Sequence, residues 1–341
     1  MAPHKSVGVS YLRNSLRKRG LSETAAELTI SSLRKGTIKQ YNVYFNQWII
    51  FAARHCLSPF NPTVVALAEF LTTLFERGLT YSSINTARSA VSTFSFVSSK
   101  SGIGSDPLIC RLMKGIFERR PPVPKYSDTW DVGIVLDYLK RLSPVENLSL
   151  GDLSHKTVML CLLLSGKRCN AIHLFTTEGL KITESSVIFD AVLEKQSRPG
   201  RPREQIIFNE YTIDVRLCVV QALKQYFKVT QTLRGTEQQF FIKTQRPYSA
   251  VTVQTLAKWV KTVMKNAGID TTKYSAHSAR AATASIAVES EVPVDVLLKA
   301  VGWSNANTFA TFYKKSIVKE PRRQLAEAVL QGNIKHCLNF R

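Results

Sequence analysis

The sequence of 341 residues contains no apolar run approaching the ~20 residues that a bilayer-spanning helix requires. Its opening stretch, MAPHKSVGVSYLRNSLRKRG, has no apolar core of the kind a secretory signal needs. These absences lead us to expect a cytosolic or nuclear protein with no membrane partner. The short run Arg17-Lys18-Arg19 fits a nuclear address. Cysteine is scattered: Cys56, Cys110, Cys161, Cys169, Cys218 and Cys337 include no C-x-x-C pair. Neither structural zinc nor a disulfide framework is therefore expected. Internal repeats and low-complexity segments are lacking too.

Acidic residues are scarce: 25 Asp and Glu stand against 46 Lys and Arg, a formal net charge of +21. The excess is not confined to a tail. Residues 1–130 hold 17 basic and 7 acidic residues, and residues 131–341 hold 29 and 18. Basic surface in both halves suits a long polyanion held between domains, nucleic acid first of all. The rest of the composition, 44% hydrophobic and 21% charged, is that of an ordinary globular chain. The length allows about two domains.

Periodicity divides the chain. Residues 1–21 read as a basic, mobile tail. Residues 22–118 are helical in pattern. Tyr41, Tyr44, Phe45, Trp48 and Phe51 recur at steps of three and four behind Thr37, which is expected to cap them. Val64–Arg77, Ser82–Ser98 and Leu108–Phe117 complete a bundle. The proline-rich stretch 119–128, RRPPVPKYSD, cannot continue a helix and marks a stiff linker. Residues 129–320 form the second domain. SHKTVMLCLLLS reads as a buried helix. VIFDAVLEK and EQIIF flank QSRPGRPR and read as a β-hairpin with a basic tip. Helices resume at Val215–Leu233, Thr252–Ala267, Ser278–Val288, Val294–Ala300 and Asn307–Lys314. Residues 321–341 hold a final helix and tail. The expected fold class is mainly α with a small antiparallel β-sheet, in two domains: an N-terminal helical bundle and a C-terminal α+β domain.

Four pieces of this second domain could carry chemistry. SGKRCNAIHLF places Arg168 just after the buried helix. Lys195 stands at the mouth of the hairpin. SAHSARAATASI places His277 and Arg280 three apart, on one helical face. VGWSNANTFATFYKK sets Trp303 and Tyr313 ten residues apart. Each is commonplace alone, as a surface arginine, a core indole or a packed tyrosine. Jointly they suit phosphoryl chemistry. Two guanidinium forks hold one phosphate and stabilise added charge in its transition state. A tyrosine hydroxyl beside cations is a credible nucleophile. A lysine can protonate the leaving oxygen. Such a set breaks DNA by transesterification and needs neither metal nor ATP.

At these residues the chain resembles the tyrosine recombinases of the phage-integrase type, over about residues 22–330. The resemblance implies that Arg168 and Arg280 clamp the scissile phosphate, Lys195 protonates the 5′ oxygen, and His277 assists proton transfer. Trp303 would hold the family's second His/Trp position, and Tyr313 would form a 3′-phosphotyrosyl link. It also implies a core-binding role for the N-terminal bundle, a catalytic role for the second domain, double-stranded DNA as partner, and no cofactor. A homotetramer is implied in the synaptic complex, with a monomer or dimer off DNA. The C-terminal helix is expected either to pack within the chain or to dock in trans on a neighbouring subunit. KGIFERRPPVPKYSDTWDV and KQSRPGRP resemble recombinases of eukaryotic mobile elements such as Crypton, DIRS or Ngaro elements, and so a nuclear protein. One departure stands out. Many members carry an acidic residue three places after the first arginine, where this chain has Ala171.

Further DNA contacts are expected from Lys35, Thr37, Lys39 and Arg88 on the bundle. Arg198, Arg201 and Arg203 at the hairpin tip are expected to flank a groove. Two other activities remain open on sequence alone: DNA relaxation of the type IB topoisomerase kind, and DNA binding without catalysis.

Overall fold

The computed structural model describes residues 7–94, 102–123, 126–190, 205–302 and 315–318. The chain divides into two compact units, Met1–Pro124 and Lys125–Arg341. The division falls inside the proline-rich stretch.

The first unit is helical. Its elements are α1 (Val7–Lys18), α2 (Glu23–Ser31), α3 (Lys35–Arg54), α4 (Val64–Glu76), α5 (Tyr81–Phe94) and α6 (Pro107–Arg119). Side-chain oxygens cap several of them: Ser22 accepts from the Ala25 amide, Thr63 from Ala66, and Asp106 from Leu108 ahead of Pro107. The core is built on Phe45, Trp48, Phe70, Leu71, Leu74, Ile84 and Phe94. The buried Trp48 indole still finds a polar partner, the Pro59 carbonyl at 2.8 Å. Arg120 closes the far end. Its guanidinium donates to the Phe75 and Leu79 carbonyls at 3.0 and 2.9 Å and lies over the Phe75 ring.

Two expectations for this unit are corrected. Val7–Lys18, read as part of a mobile tail, is helix α1, and it buries Val9, Leu12 and Leu16. Those three keep helical spacing, but the interleaved basic residues disguise it. Gly8 lets α1 approach α5, since a Cβ there would sit 2.7 Å from the Phe94 ring. Thr37 does not cap α3. The helix starts at Lys35 behind Arg34, which makes no side-chain cap bond, so Thr37 lies inside the first turn.

The second unit is built around α8 (Leu150–Ser165). This helix is apolar on almost every side and is surrounded by α10 (Val219–Gln231), α11 (Val253–Asn266) and α12 (Ser278–Glu289). It also carries Lys156, which is buried and donates to the Leu142 carbonyl and the Ser143 hydroxyl at the end of α7 (Val132–Arg141). Burial draws the Lys156 pKa down to about 8.

A three-stranded antiparallel sheet, β2 (Leu180–Ile182), β3 (Ser186–Phe189) and β4 (Ile206–Asn209), covers one side. Ile188 pairs with Ile207 and Phe189 with Ile206. Alternation puts Val187, Phe189, Ile206 and Phe208 on the core face, where the Phe175 ring stacks on Phe189. The β3–β4 pairing is the hairpin expected from sequence; β2 was not foreseen. A separate parallel pair joins β1 (Asp128–Trp130) to β5 (Ser316–Val318). The unit is completed by the short α9 (Cys169–His173) and by α13 (Val294–Val301). Lys195, the basic hairpin tip and the expected helices at 307–314 and 322–330 lie outside the described residues.

Adjacent leucines of α8 make the packing testable. Leu163 is 4% exposed and Leu164 56% exposed. Leu163→Ala is expected to cost about 2–5 kcal/mol in denaturant unfolding. Leu164→Ala is expected to stay within about 0.5 kcal/mol of the parent.

Candidate active site

The site begins where α8 ends. Gly166 follows the helix in the left-handed conformation, φ +57°, and its amide closes the last turn on the Leu162 carbonyl. Two residues on, Arg168 occupies the cap position of α9 in extended backbone, and its carbonyl receives the Ala171 amide at 2.8 Å. That turn leaves the Arg168 side chain half-buried.

Arg280 reaches this turn from α12. It is 3% exposed. Its guanidinium donates to the Gly166 carbonyl at 2.7 Å and to the Val301 carbonyl at 3.2 Å. Two neutral main-chain oxygens thus orient the group. Gly166 is required twice over: its backbone angle disfavours a side chain, and a Cβ would lie 2.8 Å from Val301 Cγ2.

His277 sits at the cap position of α12, three residues before Arg280. His277 is exposed at the surface. The protein packed about its ring nevertheless pushes its pKa below the ordinary histidine value, and the positive charges of Arg168 and Arg280 push it further. His277 is therefore held toward the neutral form, able to accept or donate a proton. The folded state resists protonation here, so this group's contribution to stability is complete above about pH 6.5 and declines as the pH falls toward the lowered value. Arg168, His277 and Arg280 thus share one electrostatic neighbourhood, although Arg168 and Arg280 are 112 positions apart in sequence.

Polar bonds fasten α12 along its length. Ser278 accepts from the Trp130 indole at 2.8 Å. Thr283 donates to the Leu163 carbonyl at 3.0 Å, and Ser285 accepts from the Lys315 amide at 3.1 Å. Between them Ala279, Ala281, Ala282 and Ala284 are all buried. None of these fastenings was singled out from sequence. Gly166 alone left a readable signal, a glycine ending an apolar helix.

Of the other expected site residues, Lys195, Arg198, Arg201, Arg203, Trp303 and Tyr313 lie outside the described residues. Lys35, Thr37 and Lys39 share the start of α3, with both lysines exposed. Arg88 is half-buried on α5, which packs against α3. Among the described residues no group of His, Cys, Asp and Glu side chains could hold a metal ion. No helix among them is long and apolar enough to cross a membrane.

Residues 152–319 match the model of the Phage integrase family, a span that contains Arg168, His277 and Arg280. No curated protein matches the chain. Solved structures share the fold. The Tn1549 transposon integrase in complex with transposon right end DNA superposes with a TM-score of 0.54 at 14% identity, covering 95% of this chain and 98% of that one. A lambda integrase dimer bound to a COC′ core site gives 0.50 at 14%, covering 94% and 98%. A lambda integrase tetramer bound to a Holliday junction also gives 0.50 at 14%, covering 91% and 78%. The architecture is thus that of the integrase fold, mainly helical with a small antiparallel sheet.

Two substitutions probe this geometry. Arg168→Ala removes one positive charge beside His277, so the His277 pKa should rise toward 6.5, followed by NMR titration of its ring protons. Gly166→Ala should destabilise the fold by at least about 1 kcal/mol in thermal or denaturant unfolding, from its strained backbone alone.

Proposed function

We propose that this protein is a DNA strand-exchange enzyme of the tyrosine recombinase type. The observation that carries the proposal is the gathering of Arg168, His277 and Arg280, where burial and then the two guanidiniums draw the His277 pKa below the ordinary histidine value. A phosphodiester is the ligand that suits such a group, because it brings the negative charge that two fixed cations favour.

The remaining parts come from the sequence pattern. The Tyr313 hydroxyl attacks phosphorus while its proton passes to His277 or to water. The bond from phosphorus to the 5′ oxygen breaks, and Lys195 supplies a proton to that oxygen. Arg168 and Arg280 stabilise the charge that accumulates on the non-bridging oxygens, with Trp303 donating beside them. The bond energy is kept as a 3′-phosphotyrosyl ester. A 5′ hydroxyl from a partner duplex then attacks this ester, releases Tyr313 and leads through a Holliday junction. No metal or nucleotide cofactor enters either step.

In this reading the first unit binds DNA through Lys35, Thr37, Lys39 and Arg88, and the hairpin arginines Arg198, Arg201 and Arg203 flank a groove. Four copies assemble on two duplexes, and the C-terminal helix either packs within the chain or docks on a neighbour. Net charge of +21, spread over both halves, supports the DNA partner. The sequence texture supports integration or excision of a eukaryotic mobile element, and hence work in the nucleus.

The test is a covalent trap. The protein is incubated with duplex DNA from a random library, or with the flanks of its element once those are identified, and quenched with detergent. A DNA-linked protein band is expected for the parent, and its loss in Tyr313→Phe. A band that persists in that variant would remove Tyr313 as nucleophile. Tight binding with no band would turn the reading to a silent DNA-binding protein. Relaxation of supercoiled DNA without strand exchange would turn it to a topoisomerase.

A further inference from the structure

We propose that Trp130 is a positioning residue for this site, and that its indole N–H, through Ser278, fixes where His277 faces. The inference rests on the function proposed above. Trp130 lies on β1 and Ser278 opens α12, one residue after His277. The indole nitrogen is 2.8 Å from the Ser278 hydroxyl, both side chains are buried, and 148 positions of sequence separate them. The hydroxyl in turn donates to the Ser275 carbonyl at 2.7 Å. Its one proton is therefore used, and it meets the indole as acceptor.

The same strand also holds the chain before His277. The Asp128 carboxylate receives the Tyr274 hydroxyl at 2.6 Å and the Lys273 ammonium at 2.7 Å. Those two bonds hold its pKa below the usual carboxylate range. A strand of three residues thus grips the segment 273–278 on both sides of His277. β1 is itself tied into the unit by parallel pairing, Asp128 to Ser316 and Trp130 to Val318.

The geometry explains why this matters. A side-chain tip lies about 5–6 Å from a helix axis, so a roll of about 20° displaces it by roughly 2 Å. Misplacement of about 1 Å can cost about a hundredfold in rate. Alanine-lined α12 is held against such a roll chiefly by its polar bonds, at Ser278, Arg280, Thr283 and Ser285, and of these the Ser278 bond lies nearest His277. The buried Trp130–Ser278 bond resists it, because rolling would strand a donor away from water.

The experiment uses the full chain with Trp130→Phe, which keeps an aromatic ring but removes the N–H, and Ser278→Ala, which removes the acceptor. DNA affinity, single-turnover formation of the covalent complex and the NMR titration of His277 are measured. Each variant is expected to bind DNA within about threefold of the parent and to form the complex at least about tenfold more slowly. The double variant should be no slower than the slower single one, as for two ends of one bond. The His277 titration should shift in both. Rates within about twofold of the parent, or effects that multiply in the double variant, would overturn the proposal. If Trp130→Phe fails to melt cooperatively, Ser278→Ala decides. If the parent itself forms no covalent complex, the functional reading falls, and the titration decides the positioning alone. A shift in the variants sustains it, and an unchanged curve overturns it.

Discussion

A buried guanidinium laid across two main-chain oxygens organises the second unit. Arg280 joins the carbonyl that ends α8 to the carbonyl that ends α13, at 2.7 and 3.2 Å. A charged group so deep is tolerated only when hydrogen bonds replace lost water. Helix C-termini suit it, because their last carbonyls lack intrahelical partners and carry partial negative charge. The bond therefore serves both sides. It satisfies helix ends that burial would otherwise orphan, and it aims a fixed cation at the turn where Arg168 emerges.

The site is built by bringing three helix ends together. The end of α8 supplies Gly166 and then Arg168, the start of α12 supplies His277 and Arg280, and the end of α13 supplies the Val301 carbonyl. Helix ends expose backbone polar groups and place side chains outside the packed barrel of the helix. They are suited to present several charges to one anion while the helices behind them stay apolar. α8 is the extreme case, a buried helix whose final residue leads into the site.

Much of this was legible before the fold was known. Trp48 and Phe70 in the first unit, and the apolar run of α8, show the spacing that burial requires. The strands β3 and β4 show in their β-branched residues. His277 and Arg280 could be singled out because their spacing is short and local, and Arg168 because it follows an apolar helix. What stayed hidden depended on distant partners. Helix α1 looked like a tail because Arg13, Arg17 and Lys18 crowd the outer face of Val9, Leu12 and Leu16. Thr37 carries a good capping side chain, but the chain had already turned helical at Lys35. β1 and β5 are three residues each and carry no period long enough to read; only their pairing makes them strands. Ser278, Thr283 and Ser285 look like ordinary small polar residues of a helix, since nothing in their own neighbourhood names Trp130, Leu163 or Lys315 as partner.

The run of alanines in α12 has one more consequence. Alanine has no rotamers to lose, so ordering Ala279, Ala281, Ala282 and Ala284 costs backbone entropy only. Larger side chains would bring alternative packings, each shifting the helix slightly. Here few such alternatives exist. Thermal motion of neighbouring side chains therefore has little means of moving the backbone that carries Arg280, whose guanidinium is held by the Gly166 and Val301 carbonyls.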